Sequence, residues 1–199
     1  MKKTLVASIL GLATAVSVMA QSRISLDSYF SSPVGGPYPL ITYGAGTAGT
    51  LGAPVTAGYT VGLYYSITPA SFEGATTQGG DNINIPGGSF VLATGTGSTT
   101  TIGNPGAGYF SSGLEFTIPG TVSPAYIVVV AYTGASYAAA EFRGHSSVFS
   151  VAPNTTAFGP APGFGSAMSG FSVVQVPEPS TFALAGLGLA SLLIFRRRK

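Results

Sequence analysis

The sequence has 199 residues, no cysteine, no tryptophan, 7% charged residues and a formal net charge of +2. Its basic residues are concentrated at the two ends, and residues 21–175 hold only two basic residues against five acidic ones. This body therefore offers no basic surface for nucleic acid. The absence of cysteine excludes a disulfide framework and a thiolate metal site.

The first twenty residues have the three parts of a secretory signal peptide. Lys2 and Lys3 precede an apolar run at residues 5–18, and small residues lead to Ala20 at the predicted cleavage position. We predict passage through the general export machinery and cleavage by signal peptidase between Ala20 and Gln21. An uncleaved N-terminal anchor is the alternative.

Residues 21–175 are numerous enough for one domain with its own core. Helical periodicity is nearly absent, and short β-branched or aromatic runs recur between turns rich in Gly, Pro and Asn. The predicted strands are 23–30, 40–43, 59–67, 89–93, 109–118, 125–132, 147–151 and 170–176. This pattern predicts a mainly β fold, a single β-sandwich of jelly-roll or immunoglobulin-like kind.

Several stretches of the body carry more specific predictions. The continuously apolar run 126–131 predicts a central strand that is covered on both faces. Alternation predicts one buried face for residues 59, 61, 63 and 65, and another for residues 114, 116 and 118. Residues 136–143 predict a short helix capped by Gly144. Three prolines between residues 152 and 168 predict a long surface loop before the last strand.

The C-terminal segment 176–199 also has three parts. It begins with Val176, Pro177, Glu178 and Pro179, where the prolines favour an extended backbone. An uncharged apolar run then extends from Phe182 to Phe195. The basic residues that follow are Arg196, Arg197, Arg198 and Lys199.

The apolar run predicts a marginal transmembrane helix. Its length as a helix is about 21 Å, against about 30 Å for the hydrocarbon core of a bilayer. The basic residues after Phe195 are predicted to stay in the cytoplasm, which places the body on the other side of the membrane. A buried helix of a soluble domain is the alternative.

This ordered combination of motif, apolar run and basic end resembles the PEP-CTERM sorting signal of Gram-negative bacteria. The resemblance implies that Pro177, Glu178 and Pro179 are read by an exosortase, a membrane-embedded cysteine-type processing enzyme. It also implies export, a single pass through the inner membrane during sorting, and delivery to the cell surface or a polysaccharide-rich extracellular matrix. It implies nothing about the body, because such signals are attached to many unrelated domains.

The body contains no convincing catalytic cluster. Residues 44–49 fit a dinucleotide-binding fingerprint, but neither a helix nor a suitably spaced acid follows, so a flexible turn is predicted. His145 is the sole histidine and could pair with Glu141, but without a nucleophile elbow it is predicted to lie at the surface or at the start of a strand. Glu73 and Asp81 share a loop region and leave a sugar-cleaving hydrolase open.

We therefore predict a structural or adhesive surface protein that is not an enzyme and needs no metal or cofactor. The oxygen ligands at residues 81–84 leave a calcium site open, with a polar turn as the alternative. The competing function is a carbohydrate-binding module for extracellular polysaccharide. Its predicted sugar-stacking residues are among Tyr38, Tyr43, Tyr64 and Tyr109.

Overall fold

The structure is a computed structural model that describes residues 21–30, 38–68, 90–120, 124–156 and 159–176, together with Leu187. These residues are mainly β, and their only helical element beyond Leu187 is a single 3₁₀ turn at Gly165–Ala167. The strands are β1 (Ser22–Asp27), β2 (Ile41–Tyr43), β3 (Thr60–Ser66), β4 (Val91–Leu92), β5 (Thr99–Thr101), β6 (Ser111–Ile118), β7 (Ala125–Tyr132), β8 (Phe142–His145), β9 (Phe149–Val151) and β10 (Phe171–Gln175). Each of the eight predicted strands corresponds to one of these.

The strands form two sheets. The larger sheet has the order β2-β10-β8-β7-β3-β4, with β5 also paired to β3 and β9 to β7. Its pairs are antiparallel except for β2 and β10, which run parallel with Ile41 opposite Phe171. The smaller sheet pairs β1 with β6 in antiparallel register, with Ser22 opposite Ile118.

Strand β7 is covered on both faces, as its continuous apolar sequence predicts. Successive side chains of a strand point to opposite faces. Ile127 and Val129 therefore contribute to the main core, together with Ile24 of β1 and Phe116 of β6. On the opposite face, Val128 and Val130 belong to a second apolar cluster with Phe90 and Tyr137. The main core thus combines side chains of both sheets.

The predicted helix at 136–143 is wrong. Strand β8 begins at Phe142 and lies between β7 and β10 in the larger sheet. Gly144 lies within β8 and caps no helix. A Cβ at this position would lie 2.1 Å from the carbonyl oxygen of Ser172 on β10. Close packing between strands, a tertiary constraint, requires this glycine and overrides the local helical spacing.

The two predicted alternating faces have different outcomes. Tyr59, Val61 and Leu63 are buried in the main core and Tyr65 packs against it, so the first prediction is confirmed. Phe116 and Ile118 are buried as predicted, but Leu114 is 54% exposed. Gly113 directly before it has a positive φ of 64°, which interrupts the regular extended backbone that the alternation assumes.

The described residues of segment 152–168, which are 152–156 and 159–168, form no strand, but they are not simply a surface loop. Phe164 and Met168 are buried in the main core. Arg23 of β1 holds the segment from outside, because its guanidinium donates to the carbonyl oxygens of Thr156 and Gly159 and forms an ion pair with Glu115. The described part of this segment therefore closes one side of the core.

Candidate functional site

The sheet holds the chain up to Val176, the residue directly before the predicted recognition element. The N–H of Gln175 donates to the carbonyl oxygen of Ala45 (3.0 Å), and the N–H of Val176 donates to that of Glu141 (2.7 Å). The Gln175 side chain also donates from Nε2 to Oε1 of Glu141 at 3.0 Å. The Val176 side chain is buried. The predicted recognition element therefore starts at the boundary of a packed strand.

Most predicted targeting residues lie outside the described residues. These are Ala20, Pro177, Glu178, Pro179, Phe182, Phe195, Arg196, Arg197, Arg198 and Lys199. Gln21 is exposed directly before β1. Within the described ranges, no helix combines the length and the apolar character that a membrane crossing requires.

Four aromatic side chains meet at one end of the domain, and we call Tyr29, Phe30, Tyr38 and Tyr109 the distal aromatic cluster. The ring centroids of Tyr29 lie 5.3 Å from Phe30, 4.8 Å from Tyr38 and 5.1 Å from Tyr109. Phe30 is 64% exposed and the three tyrosines are half-buried. Asp27 sets the turn, because its Oδ1 accepts from the N–H groups of Tyr29 (2.9 Å) and Phe30 (3.0 Å).

The distal aromatic cluster and Val176 lie at opposite ends of the domain. Because β2 and β10 are parallel and Ile41 faces Phe171, both strands begin at the same end. Tyr38 lies three residues before Ile41. The N–H of Ile41 donates to the carbonyl oxygen of Gly108, the residue directly before Tyr109. The cluster therefore lies where β10 begins, whereas Val176 lies where β10 ends.

The structure separates the four predicted sugar-stacking tyrosines. Tyr38 and Tyr109 belong to the distal aromatic cluster. Tyr43 packs over Gly49, where a Cβ would come within 2.3 Å of its ring, and its hydroxyl lies 3.1 Å from Oγ1 of Thr56. Tyr64 packs against the second apolar cluster, and burial raises its pKa. Tyr29 and Phe30 were not among the predicted binding residues, although they form an aromatic pair at the end of the predicted strand 23–30.

The prediction that His145 lies at the surface or at the start of a strand is wrong, because it is the last residue of β8. Its side chain is fully buried, and its Nδ1 lies 2.9 Å from the carbonyl oxygen of Ser146. Removal from water disfavours the charged ring and lowers the pKa of His145 from its ordinary value of 6.5. Its suggested partner Glu141 is exposed and accepts from Gln175. The two side chains are therefore in different environments and do not support a catalytic pair.

Arg143 is a structural residue that the sequence analysis missed. It is 2% exposed, and its Nη1 donates to the carbonyl oxygens of Tyr137 (2.8 Å) and Ala138 (2.7 Å). Its guanidinium carbon lies 5.4 Å from the centre of the Tyr137 ring. Burial raises the pKa of the Tyr137 hydroxyl, an effect that the nearby positive charge partly offsets. Arg143 thus organises the loop between β7 and β8.

The other chemical candidates gain no support from the described residues. Residues 44–49 form a turn against β10, in which the N–H of Gly44 donates to the carbonyl oxygen of Val173. Glu73, Asp81 and the possible calcium ligands at 82–84 lie outside the described ranges. Among the residues that the structure describes, no three His, Asp or Glu side chains converge on a possible metal site.

Comparison with known protein families gives a match to the PEP-CTERM protein-sorting motif at residues 175–199. Residues 175–199 are a PEP-CTERM protein-sorting motif. Neither the curated proteins nor the solved structures include a significant match to the chain.

The PEP-CTERM motif confirms the resemblance on which the sequence analysis relied. It marks an exported protein that is sorted by an exosortase. The match begins at Gln175, the last residue of β10, so the PEP-CTERM motif and the sheet share this residue. The motif is therefore joined directly to a packed strand.

Proposed function

We propose that this exported protein serves a structural or adhesive role at the cell surface or in the extracellular matrix. In this proposal its signal peptide is removed between Ala20 and Gln21, and a single C-terminal span holds it in the inner membrane during sorting. An exosortase then processes the chain near Pro177–Pro179. The observation that carries the proposal is the PEP-CTERM motif at residues 175–199.

The proposed domain is a non-catalytic β-sandwich. Support for two opposed layers comes from the main core, which combines side chains of β1 and β6 with those of β3, β7 and β10. Support for a passive role comes from the candidate catalytic residues: His145 is buried, whereas Glu141 is exposed and bonded to Gln175. The jelly-roll and immunoglobulin-like topologies both remain within this proposal.

Mass spectrometry of the two termini of the mature protein tests the sorting proposal. We expect an N-terminus at Gln21 and a C-terminus close to Pro177–Pro179, because signal peptidase and exosortase act at these two positions. The same protein from cells without exosortase is the control and should retain the C-terminal segment. A product from normal cells that still ends at Lys199 would contradict exosortase processing.

The second candidate function is binding of extracellular polysaccharide by the distal aromatic cluster. Aromatic faces stack on apolar faces of ligand rings, and Tyr also offers a hydroxyl for hydrogen bonding. The supporting observation is that Tyr29, Phe30, Tyr38 and Tyr109 meet at the end of the domain opposite Val176. This position directs the cluster away from the membrane when the domain is anchored.

Affinity electrophoresis in gels that contain the host polysaccharide tests this second function. Tyr38→Ala and Tyr109→Ala are each expected to weaken retardation about fivefold, the equivalent of about 1 kcal/mol for one stacking contact. Tyr43→Ala is the matched control, because it makes the same chemical change at a half-buried tyrosine outside the distal aromatic cluster. Equal retardation of the wild type in gels with and without polysaccharide would exclude this function.

A further inference from the structure

Two segments of the domain form the surface around the end of β10. It is formed by the turn 44–52 after β2 and by the loop 133–141 between β7 and β8. Both segments hold the end of β10 through the carbonyl oxygens of Ala45 and Glu141. We call the exposed residues of these two segments the exit surface; they include Ala48, Leu51, Ala139 and Glu141. Leu51 is 74% exposed and is the one large apolar side chain among these exposed residues.

A short length of chain joins the exit surface to the predicted membrane span. Only the five residues 177–181 separate Val176 from Phe182. Fully extended, this connection reaches about 20 Å. The headgroup layer itself occupies about 5–7 Å on each side of the bilayer. The exit surface therefore stays within about 15 Å of the headgroups while the protein is anchored.

An enzyme that cleaves near Pro177–Pro179 must enter this narrow space. A single α-helix with its side chains is about 10–12 Å across, so even one helix of the enzyme would fill most of the gap. Residues 175 and 176 cannot give way without loss of their backbone hydrogen bonds to Ala45 and Glu141. The processing enzyme is therefore brought directly beside the folded domain at the exit surface.

We propose that the exit surface is a docking surface for the exosortase, so that the enzyme recognises the folded domain as well as the PEP-CTERM motif. This inference rests on the proposed processing near Pro177–Pro179. It extends the recognised substrate from a linear motif to the turn 44–52 and the loop 133–141.

Charge favours a protein partner over the lipid surface itself. Segments 44–52 and 133–141 contain no Lys or Arg, and Glu141 is their one charged residue. Attraction to anionic headgroups requires basic residues, each worth about 1 kcal/mol near the membrane. An exposed leucine among uncharged small residues instead suits an apolar contact in a protein interface.

Site-specific labelling tests the contact directly, because the natural chain contains no cysteine. Full-length Ala48→Cys and Ala139→Cys variants are treated in spheroplasts with a membrane-impermeant maleimide. One strain carries a catalytically inactive exosortase and the other carries none. We expect labelling to slow about threefold or more with the inactive enzyme. The exposed Leu114→Cys control on β6 should label equally in both strains.

Two labelling results would overturn the inference. Equal labelling of Ala48→Cys and Ala139→Cys in both strains would mean that the enzyme does not cover the exit surface. Slow labelling in both strains would mean that the lipid surface covers it.

Pulse-chase measurement of the processing rate tests whether the exit surface contributes to cleavage by the exosortase. Leu51→Arg and Ala139→Arg are expected to slow processing about threefold or more, whereas the Leu114→Arg control keeps the wild-type rate. A flexible linker of about twelve residues between Val176 and Pro177 should slow processing as well, because it uncouples docking from cleavage. Wild-type rates for Leu51→Arg and Ala139→Arg, or faster processing with the linker, would overturn the inference. A wild-type protein that is never processed would instead refute the proposed function.

Discussion

Replacement of Phe164 with alanine is expected to lower the free energy of unfolding by about 3–5 kcal/mol. Phe164 is 1% exposed and packs against two further aromatic rings, with centroids 5.2 Å from Phe149 and 6.4 Å from Phe110. Truncation removes these contacts and leaves a cavity that the surrounding strands fill only in part. The effect is a large fraction of the about 5–15 kcal/mol that stabilises a typical domain.

Urea unfolding of the mature protein, followed by far-UV circular dichroism, measures this loss. Phe30→Ala is the matched control, because it makes the same chemical change at a side chain that is 64% exposed. It should cost less than about 1 kcal/mol. Equal losses for Phe164→Ala and Phe30→Ala would mean that segment 152–168 is the surface loop that its prolines predicted.

The protein is expected to lose stability below about pH 6.5 because His145 is buried in its neutral form. Burial lowers the pKa of His145 in the folded state, so the unfolded chain binds more protons as the pH falls. Unfolding is then favoured by up to about 1.4 kcal/mol per pH unit between the unfolded and the folded pKa. Above pH 6.5 this contribution is fully present and no longer changes with pH.

Comparison with His145→Gln isolates this effect from the titration of carboxylates. Free energies of unfolding from urea titrations between pH 5 and pH 7.5 should fall more steeply with acid for the wild type than for the variant. The overall stability of His145→Gln does not affect the test, because only the pH dependence of the free energy of unfolding is compared between the two proteins. Parallel curves for the two proteins would show that His145 becomes charged as easily in the folded state as in the unfolded one.

Local patterns were sufficient for most of the strands. The apolar run at 126–131 predicted a strand covered on both faces, since only a buried strand tolerates apolar residues at every position. Strand β3 was equally clear, because Tyr59, Val61 and Leu63 recur at every second position and all lie in the main core. Strand β8 was missed, since Phe142–His145 has no alternating apolar pattern and is defined by pairing with β7 and β10.

Of the two candidate sites, the PEP-CTERM motif is local in the sequence and the distal aromatic cluster depends on the tertiary structure. The PEP-CTERM motif is a linear signal, because an enzyme reads consecutive residues, and the sequence alone located it. The distal aromatic cluster is a tertiary feature, since Tyr29 and Tyr109 are far apart along the chain and meet only when β1 pairs with β6.

The sequence by itself determined the mainly β class, the position of most strands and the sorting motif, because each depends on short runs of neighbouring residues. Only the tertiary structure decided the burial of His145, Arg143 and Phe164, and the opposite placement of the aromatic cluster and Val176. Burial and placement depend on which strands pair, and the partners are distant in sequence. That pairing is set by packing of the whole core, which no local pattern contains.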